Sequence, residues 1–178
     1  MSPESRTLLM SRGEIARTVQ RIAREIKRDY EGKSPLLVGV LKGSFIFMSD
    51  LVREIGIPLT VDFVKAQSYV STQSTGQVSI EPGPLSGLRD RHVIIVEDIV
   101  DTGITLTNLM TMFRAENPAS LKICSFLDKP SRREVTLQVD YLGITVPNKF
   151  IVGYGLDLDQ EHRYLPDLWV LDEPEKVG

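Results

Sequence analysis

The segment that most constrains the fold of this chain runs from His92 to Leu106 and reads HVIIVEDIVDTGITL. It begins with four consecutive apolar residues, Val93 to Val96, and an unbroken apolar run is typical of a strand that is buried on both faces of a parallel sheet. Two adjacent carboxylates follow, then a turn with hydroxyl and glycine residues, then apolar residues at helical spacing. The segment therefore predicts a strand, an acidic edge, a tight turn and a helix.

The turn and the carboxylates together indicate a class of ligand. A turn that leads into a helix offers free backbone N–H groups and the positive end of the helix dipole, which suits a phosphate. Glu97 and Asp98 would repel that phosphate unless a sugar diol or a divalent metal lay beside them. The pattern predicts a ligand that carries phosphate and ribose together with Mg²⁺.

The rest of the chain predicts an α/β fold in which a parallel twisted sheet is flanked by helices. A capping box at Ser11–Glu14 begins a helical pattern that continues to Tyr30, and Phe45–Ile55 has the same periodicity. Buried or half-buried strands are expected at Leu36–Leu41, 59–69, Leu121–Asp128, Tyr141–Val146, 150–153 and Leu168–Leu171.

In such sheets, ligands bind beyond the carboxyl ends of the strands. Lys42, Asp98, Lys129 and Asp157 each come just after an apolar run, so we expect them to converge at that edge.

Residues 71–87 differ from the rest of the chain because they are rich in serine, threonine, glycine and proline and contain few apolar side chains. Loops of this length are commonly lids or disordered segments, and we expect a lid here. No repeat or linker divides the sequence, so residues 1–178 are expected to form a single domain.

Composition excludes several classes of function. The net charge of the 178 residues is -3 and no long Lys/Arg run occurs, which argues against a nucleic-acid surface. Cys124 is the only cysteine, so no internal disulfide is expected. The first ten residues do not resemble a signal peptide, and the apolar runs are far shorter than a membrane span. These features predict a soluble cytoplasmic protein without a membrane partner.

Several common motifs are missing from the sequence. There is no GxGxxG after the first strand, no GxxxxGK[ST] and no HExxH, so dinucleotide, Walker-type and zinc-protease sites have no support. Asp157-Leu158-Asp159 begins like a calcium loop but lacks the glycine that would follow.

The stretch VEDIVDTGITL resembles the signature of the type I phosphoribosyltransferases, which bind 5-phosphoribosyl-1-pyrophosphate. Asp101 and the chain that follows it resemble, more narrowly, the hypoxanthine (hypoxanthine-guanine) phosphoribosyltransferases, over roughly Leu8 to Leu171. The resemblance implies the fold of that family, with a small hood region and a long flexible loop. It also implies a Mg²⁺-dependent purine salvage enzyme that converts hypoxanthine and guanine to their nucleotides and assembles as a homodimer or homotetramer.

By this resemblance, the turn Thr102, Gly103, Ile104 and Thr105 grips the 5′-phosphate. Glu97 and Asp98 hold the ribose hydroxyls directly or through Mg²⁺, and Asp101 is the general base or acid at the purine imidazole nitrogen. Ile104 departs from the family pattern, in which this position is often polar or basic.

The remaining site residues also come from the resemblance. Lys129 reads the purine 6-oxygen, and because a lysine can only donate hydrogen bonds it does not suit the 6-amino group of adenine. The other assigned roles are purine stacking by Phe150, purine edge contact by the Ile151 backbone, and both purine binding and a second Mg²⁺ for Asp157. Pyrophosphate binding falls to Lys42, Gly43 and Arg163, and loop closure to Ser68 and Tyr69. Trp169 matches no role and is expected to be structural.

Two rival functions remain open at this point. A sister transferase for adenine, orotate, uracil or xanthine would share the turn Thr102–Thr105, called the phosphate turn below, but not the context of Lys129 and Phe150. A regulatory protein that binds the ribosyl donor without turnover would not need Asp101 or Asp157. Sequence does not rank hypoxanthine, guanine and xanthine as substrates.

Overall fold

The computed structural model describes residues 5–68, 78–80 and 87–171. Within these ranges the helices are α1 (Arg12–Tyr30), α2 (Phe45–Ile55) and α3 (Ile104–Ala115), with a 3₁₀ turn at Pro130–Arg132. The strands are β1 (Arg6–Met10), β2 (Leu36–Leu41), β3 (Thr60–Ser68), β4 (Val78–Ile80), β5 (His92–Val100), β6 (Ser120–Asp128), β7 (Tyr141–Thr145), β8 (Phe150–Val152) and β9 (Leu168–Leu171).

The main sheet has the strand order β4-β3-β2-β5-β6-β7. Five of these strands pair in parallel, in the order β3-β2-β5-β6-β7, and the edge strand β4 is antiparallel to β3. Val93 to Val96 in the central strand β5 are all 0% exposed, as the unbroken apolar run predicts. The parallel α/β sheet expected from sequence is confirmed.

The sheet separates two hydrophobic cores because side chains alternate between its faces. Ile94 and Val96 of β5 pack into one core with the apolar stripes of α1 and α2. Val93 and Ile95 pack into the other, beneath Leu109 and other apolar residues of α3. Both faces of β5 are therefore buried, which fixes the position of the acidic edge that follows it.

Helix α1 begins as the capping pattern predicts. Glu14 Oε2 accepts hydrogen bonds from the backbone N–H of Ser11 at 2.9 Å and from its hydroxyl at 2.6 Å. The apolar residues expected at helical spacing form the buried side of the helix, namely Ile15, Val19, Ile22, Ala23, Ile26 and Tyr30.

A second sheet, of three antiparallel strands, has the order β1-β9-β8. Strands β8 and β9 were expected from sequence, but β1 was not, because its five residues RTLLM are exposed at Arg6, Thr7 and Leu8 and carry only a weak pattern. This small sheet corresponds to the expected hood. Trp169 lies in it with the guanidinium of Arg6 4.7 Å from its ring centroid, consistent with a structural role.

The prediction that residues 71–87 form an uninterrupted loop is wrong at Val78–Ile80, which pair with Ser68, Gln67 and Ala66 of β3. The alternating triplet Val-Ser-Ile was too short to indicate a strand by itself. Tyr69 and most of the predicted lid lie outside the described residues. No helix in the part of the chain that the structure describes is long and apolar enough to cross a membrane.

Candidate active site

A pocket of about 220 Å³ opens at the carboxyl ends of β2 and β5. It is lined by residues from both strand–turn–helix units of the sequence: Val40, Leu41, Gly43, Glu97, Asp98, Ile99, Val100, Asp101, Thr102, Gly103, Thr105 and Leu106. The structure thus brings the phosphate turn, the two carboxylates and the turn after β2 into one cavity.

The turn before α3 has the geometry of a phosphate site. Gly103 has φ = 85°, in the left-handed region that favours glycine, and α3 begins at the next residue. Side-chain crowding adds to the preference for glycine, because a Cβ here would be 3.0 Å from Val135 Cγ2 and 3.1 Å from Arg133 Cδ. The first turn of α3 contains no acidic residue, so its amides and dipole present a positive end to the pocket.

The two carboxylates in the pocket form a close pair. Glu97 is only 9% exposed, and burial, followed by the charge of Asp98, raises its pKa well above the ordinary value. Glu97 Oε1 accepts a 3.3 Å hydrogen bond from the Asp98 backbone, and Asp98 Oδ1 accepts one of 2.9 Å from Ile99. A buried carboxylate beside a second carboxylate is stabilised by a bound cation.

These carboxylates suit Mg²⁺, which proteins usually hold through one or two carboxylates together with substrate phosphates and water. Among the described residues, no group of three or more His, Cys, Asp or Glu side chains could enclose a metal ion. The donor set therefore fits a cation that arrives with a polyoxygen ligand better than a closed metal site.

The turn after β2 lies against a second loop that comes from the small sheet. Asp98 approaches Gly43 so closely that a Cβ on Gly43 would be 1.7 Å from Asp98 Oδ2. On the other side, a Cβ on Gly155 would be 2.3 Å from the Gly43 carbonyl oxygen. The Leu41–Lys42 peptide bond, whose isomer the sequence could not show, is cis.

The cationic side chains of this region are connected through the same loop. Lys42 Nζ donates to Gln160 Oε1 at 2.9 Å, and Arg163 Nη1 donates to the Gly155 carbonyl at 2.7 Å. Arg163 Nη2 also pairs with Asp157 Oδ1 at 2.7 Å. Lys42 and Arg163 are thus held near Gly43, where an anion could meet both.

Lys129 and Phe150 lie beyond the pocket lining. The Lys129 backbone N–H donates to the Val100 carbonyl at 2.9 Å, which ties the residue after β6 to the end of β5, next to Asp101. Burial of the Lys129 side chain lowers its pKa. Phe150 is 60% exposed, and Ile151 is 4% exposed. An exposed aromatic ring such as that of Phe150 is suited to stacking on a planar heterocycle.

The Phosphoribosyl transferase domain family matches residues 9–159 of this chain. The chain belongs to the phosphoribosyltransferase family. The hypoxanthine-guanine phosphoribosyltransferase of Streptococcus pneumoniae (strain ATCC BAA-255 / R6) is 44% identical over 167 residues, 93% of each chain. The enzyme of that name from Bacillus subtilis (strain 168) is 40% identical over 172 residues, 96% of each chain.

Solved structures of phosphoribosyltransferases share this fold. A hypoxanthine-guanine phosphoribosyltransferase of Bacillus anthracis, with a HEPES molecule in its active site, is 40% identical with a TM-score of 0.88 and covers 93% of this chain and 98% of that one. A hypoxanthine phosphoribosyltransferase of Staphylococcus aureus is 37% identical with a TM-score of 0.89, covering 93% and 91%. The fold and family that the motif predicts are confirmed.

Lys42 and Lys129 follow β2 and β6 of the parallel sheet as expected, and Asp98 lies against Gly43 at the same edge, but two details of the prediction need correction. Asp98 lies within β5, because pairing with β6 continues through Ile99 and Val100. Asp157 follows β8 of the small antiparallel sheet and does not extend a strand of the parallel one. Its Oδ2 also accepts a 2.8 Å hydrogen bond from the Gln160 backbone, so both of its oxygens are already engaged.

Sequence reasoning missed several residues that shape this phosphoribosyltransferase site. Gly155 and Gln160 contact the Gly43 turn and Lys42, while Arg132 and Arg133 bond to Asp101. The arginines follow Lys129 by three and four positions in the run KPSRR, so proximity to a site residue was the available signal. Ser68 ends β3, and its proposed partner in loop closure, Tyr69, is not among the described residues.

Proposed function

We propose that this phosphoribosyltransferase transfers the 5-phosphoribosyl group of 5-phosphoribosyl-1-pyrophosphate to an imidazole nitrogen of hypoxanthine, and of guanine, with release of pyrophosphate. The observation that carries the proposal is that one pocket is lined both by the turn before α3 and by the carboxylates Glu97 and Asp98. The names of the relatives, hypoxanthine-guanine phosphoribosyltransferases, support the choice of base. The role is purine salvage.

The donor occupies the pocket in this proposal. The turn Thr102–Thr105 binds the 5′-phosphate through backbone amides and hydroxyls, and the Glu97–Asp98 pair faces the ribose hydroxyls. Mg²⁺, when bound with the donor, offsets the negative charge on the pyrophosphate and on the carboxylates. Lys42, Gly43 and Arg163 receive the pyrophosphate, and their charges stabilise it as it leaves.

The purine lies between Asp101, Lys129 and Phe150. Lys129 donates a hydrogen bond to the 6-oxygen, Phe150 stacks on the ring, and the Ile151 backbone meets the far edge of the base. As the bond between ribose C1 and the pyrophosphate oxygen breaks, the purine nitrogen bonds to C1 and its proton passes to Asp101. The assignment of Asp157 to a second Mg²⁺ requires that Arg163 release its carboxylate, since the two are paired.

A panel of bases tests the proposed substrate. With donor and Mg²⁺ present, hypoxanthine and guanine should release pyrophosphate and adenine should be essentially inert, because Lys129 offers only donors. Adenine turnover as fast as that of hypoxanthine would contradict the base assignment. Binding of the donor with no pyrophosphate release from any base would instead favour a regulatory protein.

The remaining proposals concern the whole protein. We infer a single catalytic domain and a homodimer or homotetramer in the cytoplasm, with a lid that includes Ser68 and Tyr69. Light scattering coupled to size-exclusion chromatography tests the assembly directly, and a purely monomeric protein would contradict it.

A further inference from the structure

Arg132 occupies a position in the purine half of the site to which no role has yet been given. It ends the 3₁₀ turn that follows Lys129, and its backbone N–H donates to the Lys129 carbonyl at 3.0 Å. This short turn directs the arginine side chain back toward the phosphate turn, where its Nε donates a 3.1 Å hydrogen bond to Asp101 Oδ1. The two paired side chains are about half exposed, 50% and 45%.

Lys129 belongs to the same cluster of charges. The negative charge of Asp101 and the positive charge of Arg132 both act on its ammonium group. Even so, within the described ranges of the chain Lys129 Nζ has no hydrogen-bond partner, and Asp101 Oδ2 accepts no hydrogen bond. The Lys129 backbone is hydrogen-bonded to Val100, the residue before Asp101, yet the two side chains are not paired with each other. Lys129 Nζ and Asp101 Oδ2 therefore remain available for a ligand.

The physical reason for this arrangement lies in the different geometry of the two cations. A lysine has a flexible stem that could bring its ammonium onto the Asp101 carboxylate, and the resulting ion pair would satisfy the donor and acceptor that the base needs. An arginine has a planar, always charged group that fixes a carboxylate in one orientation. Arg132 satisfies Oδ1 and reduces the attraction of Asp101 for Lys129.

We propose that Arg132 is a positioning residue that holds the Asp101 carboxylate and prevents Lys129 from pairing with it, so that both remain free for the purine. This inference rests on the proposed function, because it uses the roles given there to Asp101 and Lys129. Arg132 itself does not contact the reacting atoms in this arrangement. It acts by keeping the purine-binding groups apart before the base arrives.

The adjacent Arg133 has a different role and does not serve as a test position. Its guanidinium is largely buried, forms an ion pair with Asp128 and donates a 3.3 Å hydrogen bond to the Asp101 backbone carbonyl. Replacing it would disturb the phosphate turn. The more exposed side chain of Arg132 allows a substitution that leaves those contacts in place.

Steady-state kinetics of Arg132→Gln, with Arg28→Gln as matched control, give the first test. Arg28 is also an exposed arginine paired with an aspartate, at 2.9 Å, but it lies at the end of α1. Arg132→Gln should raise KM for hypoxanthine about three- to fivefold, the factor given by an exposed ion pair that must now be broken for the base to bind. KM for the donor should change less than about twofold, and Arg28→Gln should match the wild type, as expected for an exposed surface position.

The second test does not require activity. The pH dependence of Lys129 labelling by an amine reagent, followed by mass spectrometry, reports its protonation. We expect Arg132→Gln to move the midpoint of Lys129 labelling to higher pH. The shift should be larger when Asp101 is present than in the Asp101→Asn background, because the new ion pair forms between Lys129 and Asp101. Equal shifts in the two backgrounds would overturn the proposal.

The outcomes distinguish this inference from the proposed function. If the wild-type protein transfers no phosphoribosyl group to any 6-oxopurine, the proposed function fails. If the wild type is active but Arg132→Gln leaves the hypoxanthine KM unchanged, or raises the KM of base and donor equally, the role of Arg132 alone is overturned.

Discussion

Replacing Gly43 by alanine should displace Asp98 from the donor pocket. The new Cβ would lie 1.7 Å from Asp98 Oδ2 and 2.4 Å from its Cγ, whereas real Cβ contacts essentially never fall below 3.0 Å. The carboxylate must therefore move by at least 1.3 Å, the difference between 1.7 and 3.0 Å. The Gly43 backbone has little room to move instead, because Gly155 packs against its carbonyl.

This movement should affect binding of the donor far more than folding. Misplacing a positioning group by about 1 Å can reduce rates ~10²-fold, so we expect kcat/KM for the donor to fall by roughly that factor. Overpacking usually costs about 1–3 kcal/mol, and the end of a pocket side chain can rotate, so the cost should be near 1 kcal/mol. For a protein of this size that lowers Tm by about 2–4 °C.

Pyrophosphate release at varied donor and Mg²⁺ concentration measures the kinetic effect, and calorimetric titration measures donor affinity. Gly13→Ala is the matched control, because a Cβ there meets only Arg17 Nη1 at 3.8 Å within helix α1. It should leave kinetics unchanged and stabilise the fold by about 0.4–1 kcal/mol. If donor affinity and kcat/KM of Gly43→Ala stay within about threefold of the wild type, the prediction is wrong, because Asp98 then either has not moved or does not position the donor.

Three further predictions follow from the charged groups of the site. Asp101→Asn should lower kcat by roughly 10²-fold or more while donor affinity changes little, because the phosphate turn is intact; a near-normal kcat would exclude a catalytic role for Asp101. Burial lowers the pKa of Lys129, so its charge is lost as pH rises through that lowered value and KM for hypoxanthine should rise there. Lys129→Arg keeps the charge and should move this alkaline rise to higher pH, and identical profiles would contradict the role of Lys129. Burial raises the pKa of Glu97, so the folded state favours the protonated form and loses stability as pH rises above the ordinary glutamate range. Glu97→Gln, without donor or Mg²⁺, should therefore raise Tm at pH 7, because the neutral amide carries no charge to bury. The rise in Tm should vanish in acid, where Glu97 is protonated in both the folded and the unfolded protein. Calorimetry that finds the same rise in Tm at every pH would contradict the burial argument.

Most local elements, and the glycine turn that lines the pocket before α3, were predictable from sequence alone. Period and run length are properties of neighbouring residues, so the uninterrupted Val93–Val96 run was enough to indicate a strand buried on both faces. The turn before α3 was also predictable, because hydroxyl residues and a glycine between an apolar run and a helical pattern are typical of a tight turn. The weak pattern of β1 and the short triplet of β4 were missed because strands of this length depend on their partners for stability.

The way in which distant segments come together around the pocket depends on the tertiary fold. Lys42 and Gln160 lie 118 positions apart and are nevertheless hydrogen-bonded, because the small sheet places its following loop against the turn after β2. The pairing of Arg132 with Asp101 likewise depends on the parallel register that sets the end of β6 beside the end of β5. Such contacts are fixed by the packing of the two sheets and by strand register. Sequence patterns report which face of an element is buried, but the partner that covers it and the side chains brought together at its end are set by the assembled fold.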